Sequence, residues 1–229
     1  MALPTKDPNK TGKVQFGLKF DDVFNDFGTF YYYKQISFAS IEPFYGPSEG
    51  AGEIFFTGEH FEDFPEAQIG CKLGDSMGQA DIVKPGTIKC VVEEMSLVDE
   101  GEGLLVKLAL NSYSWVGGHD GDVFYIPYGI IATSPSSGPY DGYTDVMISG
   151  RGFSPTFADK GRCRFGVDGN YVTVDAEVLD YSKLVCRSPE EFPLPEGGDQ
   201  KFSVPISIAF GEEQFKPWTL STHRYRFYQ

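Results

Sequence analysis

The chain has 229 residues, of which 41% are hydrophobic and 23% are charged, a composition typical of globular domains rather than of a disordered chain. Its 33 acidic residues outnumber the 19 basic ones and give a formal net charge of −14, which repels nucleic acid and anionic membrane surfaces. No stretch approaches the roughly 18 apolar residues of a membrane span. We therefore expect no nucleic-acid partner and no direct insertion of this segment into a membrane.

Residues 1–12 form an N-terminal tail without the apolar core of a signal peptide. A secreted protein with this sequence would be a mature form or an excised piece. The C-terminal residues 227–229 continue directly from a predicted strand, which also favours excision. The tail contains Asn9-Lys10-Thr11, an acceptor triplet for N-glycosylation, so Asn9 is a candidate glycosylation site.

Residues 13–34 are predicted to form a β-hairpin. Val14, Phe16, Leu18 and Phe20 alternate with polar residues or glycine, the pattern of a strand with one buried face. Seven aromatic residues make up a candidate interaction surface: Phe16, Phe20, Phe24, Phe27, Phe30, Tyr31 and Tyr32. An isolated hairpin is marginal in water, so this one must pack on its neighbour, pair with another chain or add strands to a partner's sandwich. We expect it to be held against the domain that follows.

The rest of the chain contains an internal repeat. Residues 53–61 align with residues 145–153, and residues 71–74 with residues 163–166, at an offset of 92 positions (150 − 58). Each unit opens on a turn rich in proline and glycine and closes on an aromatic strand, which also occurs at residues 29–32. The hairpin at 13–34 therefore looks like the end of a preceding repeat whose first strands are absent.

A repeat of about 95 residues with many short strands and turn signals fits a β-sandwich. One modest helical candidate, residues 175–184, is interpreted as a strand followed by a turn. We therefore predict an all-β chain with whole domains at residues 35–128 and 129–229. So short a junction near Tyr128-Gly129 would bring the domains into contact and arrange them as a stiff rod.

The order of motifs in each unit resembles the IPT/TIG domain, an immunoglobulin-like fold. A turn with Pro and Gly precedes Gly-x-x-Phe, then Cys-x-apolar-Gly, then a second cysteine, and finally alternating strands that end in Tyr or Phe. The first unit carries these motifs on Pro43, Gly46, Gly58, Phe61, Cys71, Gly74, Cys90 and Tyr125. The second carries them on Pro135, Gly138, Gly150, Phe153, Cys163, Gly166, Cys186 and Phe227. In many members Thr-Pro or Ser-Pro follows the second cysteine. The second unit has Ser188-Pro189 at this place, whereas the segment after Cys90 has no such pair.

This resemblance implies a protein that is not an enzyme. Extracellular copies of the domain form tandem stalks in plexins, in Met-like receptors and in surface proteins of protists and bacteria. Intracellular copies are dimerisation domains of Rel-type transcription factors. We expect a segment of a cell-surface adhesin, receptor stalk or surface filament, with proteins, neighbouring repeats or copies of itself as partners. The alternatives are an intracellular dimerisation module of a transcription factor and an accessory glycan-binding sandwich of a carbohydrate-active enzyme.

The four cysteines occur two per repeat at matching positions, Cys71 and Cys90 in the first and Cys163 and Cys186 in the second. One disulfide in each domain, free buried thiols and a zinc site are all compatible with this spacing. The absence of Cys-x-x-Cys and of paired histidines disfavours structural zinc, and we expect the disulfides. They would indicate an oxidising compartment, outside the cell or at its surface.

The sequence offers little for catalysis or for cofactor binding. It contains no His-Glu-x-x-His or Walker motif, and its two Gly-x-Ser-x-Gly matches, at residues 46–50 and 74–78, do not lie between a predicted strand and a predicted helix. We therefore predict neither catalysis nor a cofactor. Asp120, Asp122 and Asp141 lie in turns near the domain junction, where extracellular rods sometimes hold calcium with oxygen ligands. They are a weak calcium candidate, because Asp-Gly is also favourable turn chemistry.

Overall fold

The computed structural model describes residues 11–50, 52–61, 68–99, 102–154, 161–190, 192, 201–211, 218–220 and 222–228. Within these ranges every regular element is a β-strand, because β-branched and aromatic residues alternate with polar ones between turns rich in Gly and Pro. The all-β prediction is confirmed. No helix in this part of the chain is long and apolar enough to cross a membrane.

The strands of the N-terminal hairpin are β1 Gly12–Phe20 and β2 Val23–Tyr32. The next strands are β3 Ser37–Glu42, β4 Tyr45–Pro47, β5 Ile54–Glu59, β6 Gly70–Leu73, β7 Ser76–Lys84, β8 Thr87–Val91, β9 Leu104–Ala109 and β10 Phe124–Ser134. The last are β11 Ser137–Pro139, β12 Asp145–Arg151, β13 Arg162–Val167, β14 Asn170–Asp180, β15 Lys183–Arg187, β16 Lys201–Ala209 and β17 Arg224–Tyr228.

Strands β3 to β10 form a sandwich of two sheets. One sheet has the order β3-β5-β8-β7 and the other the order β4-β10-β9-β6-β7. Strand β7 belongs to both sheets, because its first half pairs with β6 and its second half with β8. Strand β4 runs parallel to β10, whereas the other pairs are antiparallel.

Strands β10 to β17 repeat this arrangement. One sheet has the order β10-β12-β15-β14 and the other the order β11-β17-β16-β13-β14. Strand β14 changes sheets as β7 does, pairing with β13 through residues 170–175 and with β15 through residues 176–180. It ends at a turn before β15, so the helical alternative for residues 175–184 does not apply. The two sandwiches share one immunoglobulin-like strand order.

Each sandwich encloses its own hydrophobic core, formed by alternate residues of its strands. In β9, Leu104, Val106 and Leu108 face the core and are at most 8% exposed. The largest fully buried side chains of the first core are Phe38, Ile54, Phe56, Leu73, Ile88 and Tyr125. Those of the second core are Tyr128, Phe153, Phe165, Phe210, Tyr225 and Phe227.

Strand β10 connects the two sandwiches without an intervening loop. Tyr125 lies in the first core and Tyr128 in the second. The backbone N–H of Ser48, in the first sandwich, donates to the carbonyl oxygen of Tyr128 over 2.9 Å. An ion pair between Asp99 and Arg151 also spans the junction. The sandwiches are therefore in direct contact.

The N-terminal hairpin forms a two-stranded sheet of its own. Tyr31 and Tyr33 pack against the first core and tie the base of the hairpin to the first sandwich. The face predicted to be buried is not fully buried: Val14 is 41% exposed and Phe20 is 64% exposed, while Phe16 and Leu18 are half-buried. This prediction is wrong because two strands make only one layer, and a core needs a second layer over it.

Candidate functional site

Each sandwich has one disulfide that joins its two sheets. Cys71 on β6 is bonded to Cys90 on β8 with their Cα atoms 6.1 Å apart, and Cys163 on β13 is bonded to Cys186 on β15 at 6.3 Å. All four side chains are fully buried, and none is a free thiol. These cysteines are therefore not available for metal binding or nucleophilic chemistry.

Each disulfide lies where the shared strand changes sheets. In the first sandwich Cys71 pairs with Gly78 of β7, and Cys90 pairs with Ala80 two residues later. In the second sandwich the two cysteines pair in the same way with residues 174 and 176 of β14. The bond fastens the two sheets at the point where one strand already crosses between them.

The Gly-x-x-Phe motif marks a place where a side chain does not fit. A Cβ atom on Gly150 would collide with the carbonyl oxygen of Gly129 and with the ring of Phe153. In the first sandwich Gly58 has the same kinds of neighbour, a carbonyl oxygen of the adjacent strand and the ring of Phe61. The motif thus allows the phenylalanine ring to cover the strand and close the end of the core.

The closing strand of each sandwich has a tyrosine whose hydroxyl abuts the glycine of the opening turn. Tyr125 reaches Gly46 and Tyr225 reaches Gly138, so a Cβ atom on either glycine would collide with the hydroxyl oxygen. Both tyrosines are at most 1% exposed. Burial raises the pKa of the Tyr125 hydroxyl well above its ordinary value, so this group stays a neutral phenol and acts in packing.

A cation–π pair recurs in both sandwiches. The Nζ atom of Lys72 lies 4.8 Å from the centroid of the Trp115 ring, and the guanidinium carbon of Arg164 lies 4.9 Å from that of Trp218. Each cation directly follows the first cysteine of its repeat, and each tryptophan comes from the segment between the last two strands. The pair holds this segment against the sheet.

Sequence reasoning missed these pairs. The two cations are 92 positions apart (164 − 72), which matches the repeat and was a usable signal. The tryptophans are 103 positions apart (218 − 115), whereas the strands on either side of them are 100 positions apart, so the two rings occupy different positions within segments of equal length.

The register of the hairpin divides its aromatic residues between two faces. Val14 lies opposite Phe30, and Gly12 lies opposite Tyr32, so these residues share one face with the alternate residues of β1. We call this face the apolar hairpin face; its apolar and aromatic members are Val14, Phe16, Leu18, Phe20, Val23, Phe27, Phe30 and Tyr32. It also includes the uncharged Asn25, which lies opposite Leu18. Of the seven predicted surface residues it contains five, while Phe24 and Tyr31 belong to the opposite face.

Residues 129–221 match the family model of the IPT/TIG domain. This part of the chain is an IPT/TIG domain. The match covers the motif carriers Gly150, Phe153, Cys163, Gly166 and Cys186, so the resemblance seen in the sequence is confirmed for the second sandwich. In this IPT/TIG domain these five motif residues are all buried.

Two solved structures of the Plexin A4 extracellular region are similar to the chain. The first, of domains 1 to 10, matches 96% of this chain at 15% identity with a TM-score of 0.43. The second, of domains 1 to 8, matches 81% at 15% identity with a TM-score of 0.39. The chain spans 19% and 18% of those two chains. No curated protein matches it.

The other candidate sites do not come together as a centre. Asp120, Asp122 and Asp141 are all exposed. Among the residues that the structure describes, no group of three or more His, Cys, Asp or Glu side chains could hold a metal ion. Asn9 lies outside the described residues, so its glycosylation stays a prediction.

Proposed function

We propose that this chain is a non-catalytic extracellular structural and interaction module, part of a cell-surface adhesin, a receptor stalk or a surface filament. The observation that carries this proposal is the buried disulfide at the same place in both sandwiches. Disulfides form and persist in oxidising environments and are rare in the cytosol, where thiols are kept reduced. A repeated inter-sheet bond therefore favours the extracellular kind of IPT/TIG protein over the intracellular dimerisation module.

The proposal includes a second IPT/TIG domain at residues 35–128. Leu104 lies opposite Tyr125 in the first sandwich and Val204 lies opposite Tyr225 in the second, at an offset of 100 for both residues. The two sandwiches also share the crossing strand, the disulfide, the Gly-x-x-Phe closure and the cation–π pair. Agreement at so many independent points supports two copies of one domain in tandem.

Recognition of protein partners is the activity that the geometry supports best. The residues that define the repeat act in packing, because the cysteines and the closing tyrosines and phenylalanines are at most 8% exposed. Partners would meet the exposed strands and loops instead. The net charge of −14 favours partners with basic surfaces through electrostatic steering and disfavours nucleic acid.

The junction supports a stiff arrangement of the two domains. A Cβ atom on Gly129 would lie only 2.8 Å from the Ser48 hydroxyl and 3.2 Å from the Leu97 side chain, so the packing there is close. The Ser48 hydrogen bond to Tyr128 and the ion pair of Asp99 with Arg151 add polar contacts across the same boundary. Such a junction would hold a binding surface at a fixed distance from the rest of a larger protein.

The test is peptide mass mapping of the natively produced, unreduced protein after alkylation of free thiols. We expect Cys71 linked to Cys90 and Cys163 linked to Cys186, with no alkylated cysteine. The same digestion after reduction is the control and must show all four cysteines alkylated. Four free thiols in the native, unreduced sample would contradict the extracellular assignment and favour the intracellular dimerisation module.

A further inference from the structure

The N-terminal hairpin aligns with the closing hairpins of the two sandwiches over its cross-strand pairs from Gly12 to Phe16, beyond which a bulge shifts its register. One pair of opposed residues occurs three times: Val14 with Phe30, Leu104 with Tyr125, and Val204 with Tyr225. In this alignment Gly12 opposite Tyr32 corresponds to Phe202 opposite Phe227 of the second sandwich. The hairpin is thus built like the last two strands of an IPT/TIG sandwich.

The alternating positions that begin at this pair form the core in both sandwiches. They are Leu104, Val106, Leu108 and Leu110 in the first and Val204, Ile206, Ile208 and Phe210 in the second, and none is more than 9% exposed. The matching positions of the hairpin are Val14, Phe16, Leu18 and Phe20. Here Val14 and Phe20 are 41% and 64% exposed, and Phe16 and Leu18 are half-buried. The hairpin therefore has the inward-facing pattern of a sandwich without the opposite sheet.

The apolar hairpin face is large and carries no charge. Five of its side chains are between 41% and 64% exposed, which amounts to roughly 500 Å² of apolar surface, the size of the largest patch on a typical monomer. The charged residues Lys13, Lys19 and Asp26 lie at register positions of the opposite face. A partner for the apolar face must itself be apolar, as the inner face of a β-sheet is.

We propose that this hairpin closes a third IPT/TIG sandwich, whose first strands precede it in a longer polypeptide. The apolar hairpin face packs on the inner faces of those strands as β9 with β10, and β16 with β17, pack in the two sandwiches described here. Phe30 takes the place of Tyr225 against the glycine of the opening turn. The hydroxyl of Tyr225 is buried and has no hydrogen-bond partner among the described residues, so a phenylalanine fits this place without losing a hydrogen bond.

This inference does not depend on where the protein is located, and its test supplies the absent strands from the protein itself. A copy of residues 129–200 is fused directly before Thr11, because Thr11 stands at the register position of Lys201 (201 − 11 = 202 − 12). We expect amide hydrogen exchange in β1 and β2 to slow by at least about 100-fold relative to the unfused chain, since open strands become part of a closed core. One additional disulfide should form in the copied strands.

Two matched variants of the fusion separate packing from general effects. Phe30 and Phe24 are 54% and 55% exposed on opposite faces of the hairpin. Phe30→Ser should remove the added protection, whereas Phe24→Ser should leave it in place. A second fusion, with a full copy of residues 129–228 before residue 33, shows whether the copied strands fold with their own closing hairpin.

Two results would overturn the proposal. One is unchanged exchange in the hairpin of the first fusion while the second fusion folds. The other is a dimer of the unfused chain, detected by sedimentation, that Phe30→Ser dissociates and Phe24→Ser does not. That dimer would show that the apolar hairpin face binds a second copy of this chain.

Discussion

Opening the disulfide of the IPT/TIG domain by the double substitution Cys163→Ala and Cys186→Ala should lower its stability by several kcal/mol. The bond closes a loop with a sequence separation of 23 residues. In the chain-entropy model such a loop restricts the unfolded chain by about 11 cal/mol/K, or about 3.4 kcal/mol at 25 °C. Both side chains are fully buried, so the space left by the lost sulfur atoms adds to the destabilisation. For a domain of about 100 residues, we expect the melting temperature to fall by about 15 °C or more.

Calorimetry and urea unfolding of the full chain measure this loss. The matched control is the double substitution Cys71→Ala and Cys90→Ala, whose loop has a separation of 19 residues and predicts a similar loss of about 3.2 kcal/mol. The unsubstituted protein, measured under reducing conditions, should approach the stability of the variants. A loss below about 1 kcal/mol in a correctly folded variant would refute the argument that the bond restricts the unfolded chain.

Three further substitutions test the packing and the junction. Gly150→Ala should lower the free energy of unfolding in urea by about 1–3 kcal/mol, because the added Cβ atom collides with a neighbouring strand and ring. The control Gly52→Ala, where a Cβ atom would have nothing within 4 Å, should change it by less than about 0.5 kcal/mol. Equal effects of the two substitutions would contradict this account. Arg164→Met should cost about 1–2 kcal/mol, measured by unfolding followed through tryptophan fluorescence, since the side chain is 15% exposed and stacks on Trp218; an unchanged midpoint would argue against the cation–π contribution. Burial, reinforced by Glu94, raises the pKa of the Glu49 carboxyl above its ordinary value, with its own backbone N–H and His223 acting in the opposite direction. The stability associated with protonated Glu49 is lost as the pH rises through this raised pKa. The substitution Glu49→Gln should therefore make the protein more stable at pH 7, and this advantage should disappear below the ordinary pKa of glutamate. A difference in stability that does not depend on pH would contradict the assignment.

The strand positions and the repeat could be predicted because packing leaves a periodic record in the sequence. Alternating residues such as Leu104, Val106 and Leu108 face one core, and a strand that buries one face must show this period. The offset of 92 positions persisted at Gly58 and Gly150 because each accommodates a close approach of the neighbouring strand. Features that packing fixes locally were therefore readable from the sequence.

Other features depended on contacts that alternation does not encode. Strands β7 and β14 change partners midway, but an alternating strand has the same sequence pattern whichever neighbour it pairs with. The hairpin pattern at Val14 and Phe20 specified which face is apolar, yet it could not specify whether a second layer covers that face. The three aspartates of the calcium candidate shared turn chemistry without sharing a location that could hold an ion.

The parallel pairing of β4 with β10, and of β11 with β17, has a mechanical consequence. When the two ends of a sandwich are pulled apart, its entering and leaving strands slide lengthwise past each other. The hydrogen bonds from Ile126 to Phe44 and from Ser48 to Tyr128 are then strained together instead of breaking one after another. Because β10 is also the first strand of the next sandwich, tension passes from one sandwich to the next along a single strand. A tether built from such units would resist force by shear, with every domain loaded in series.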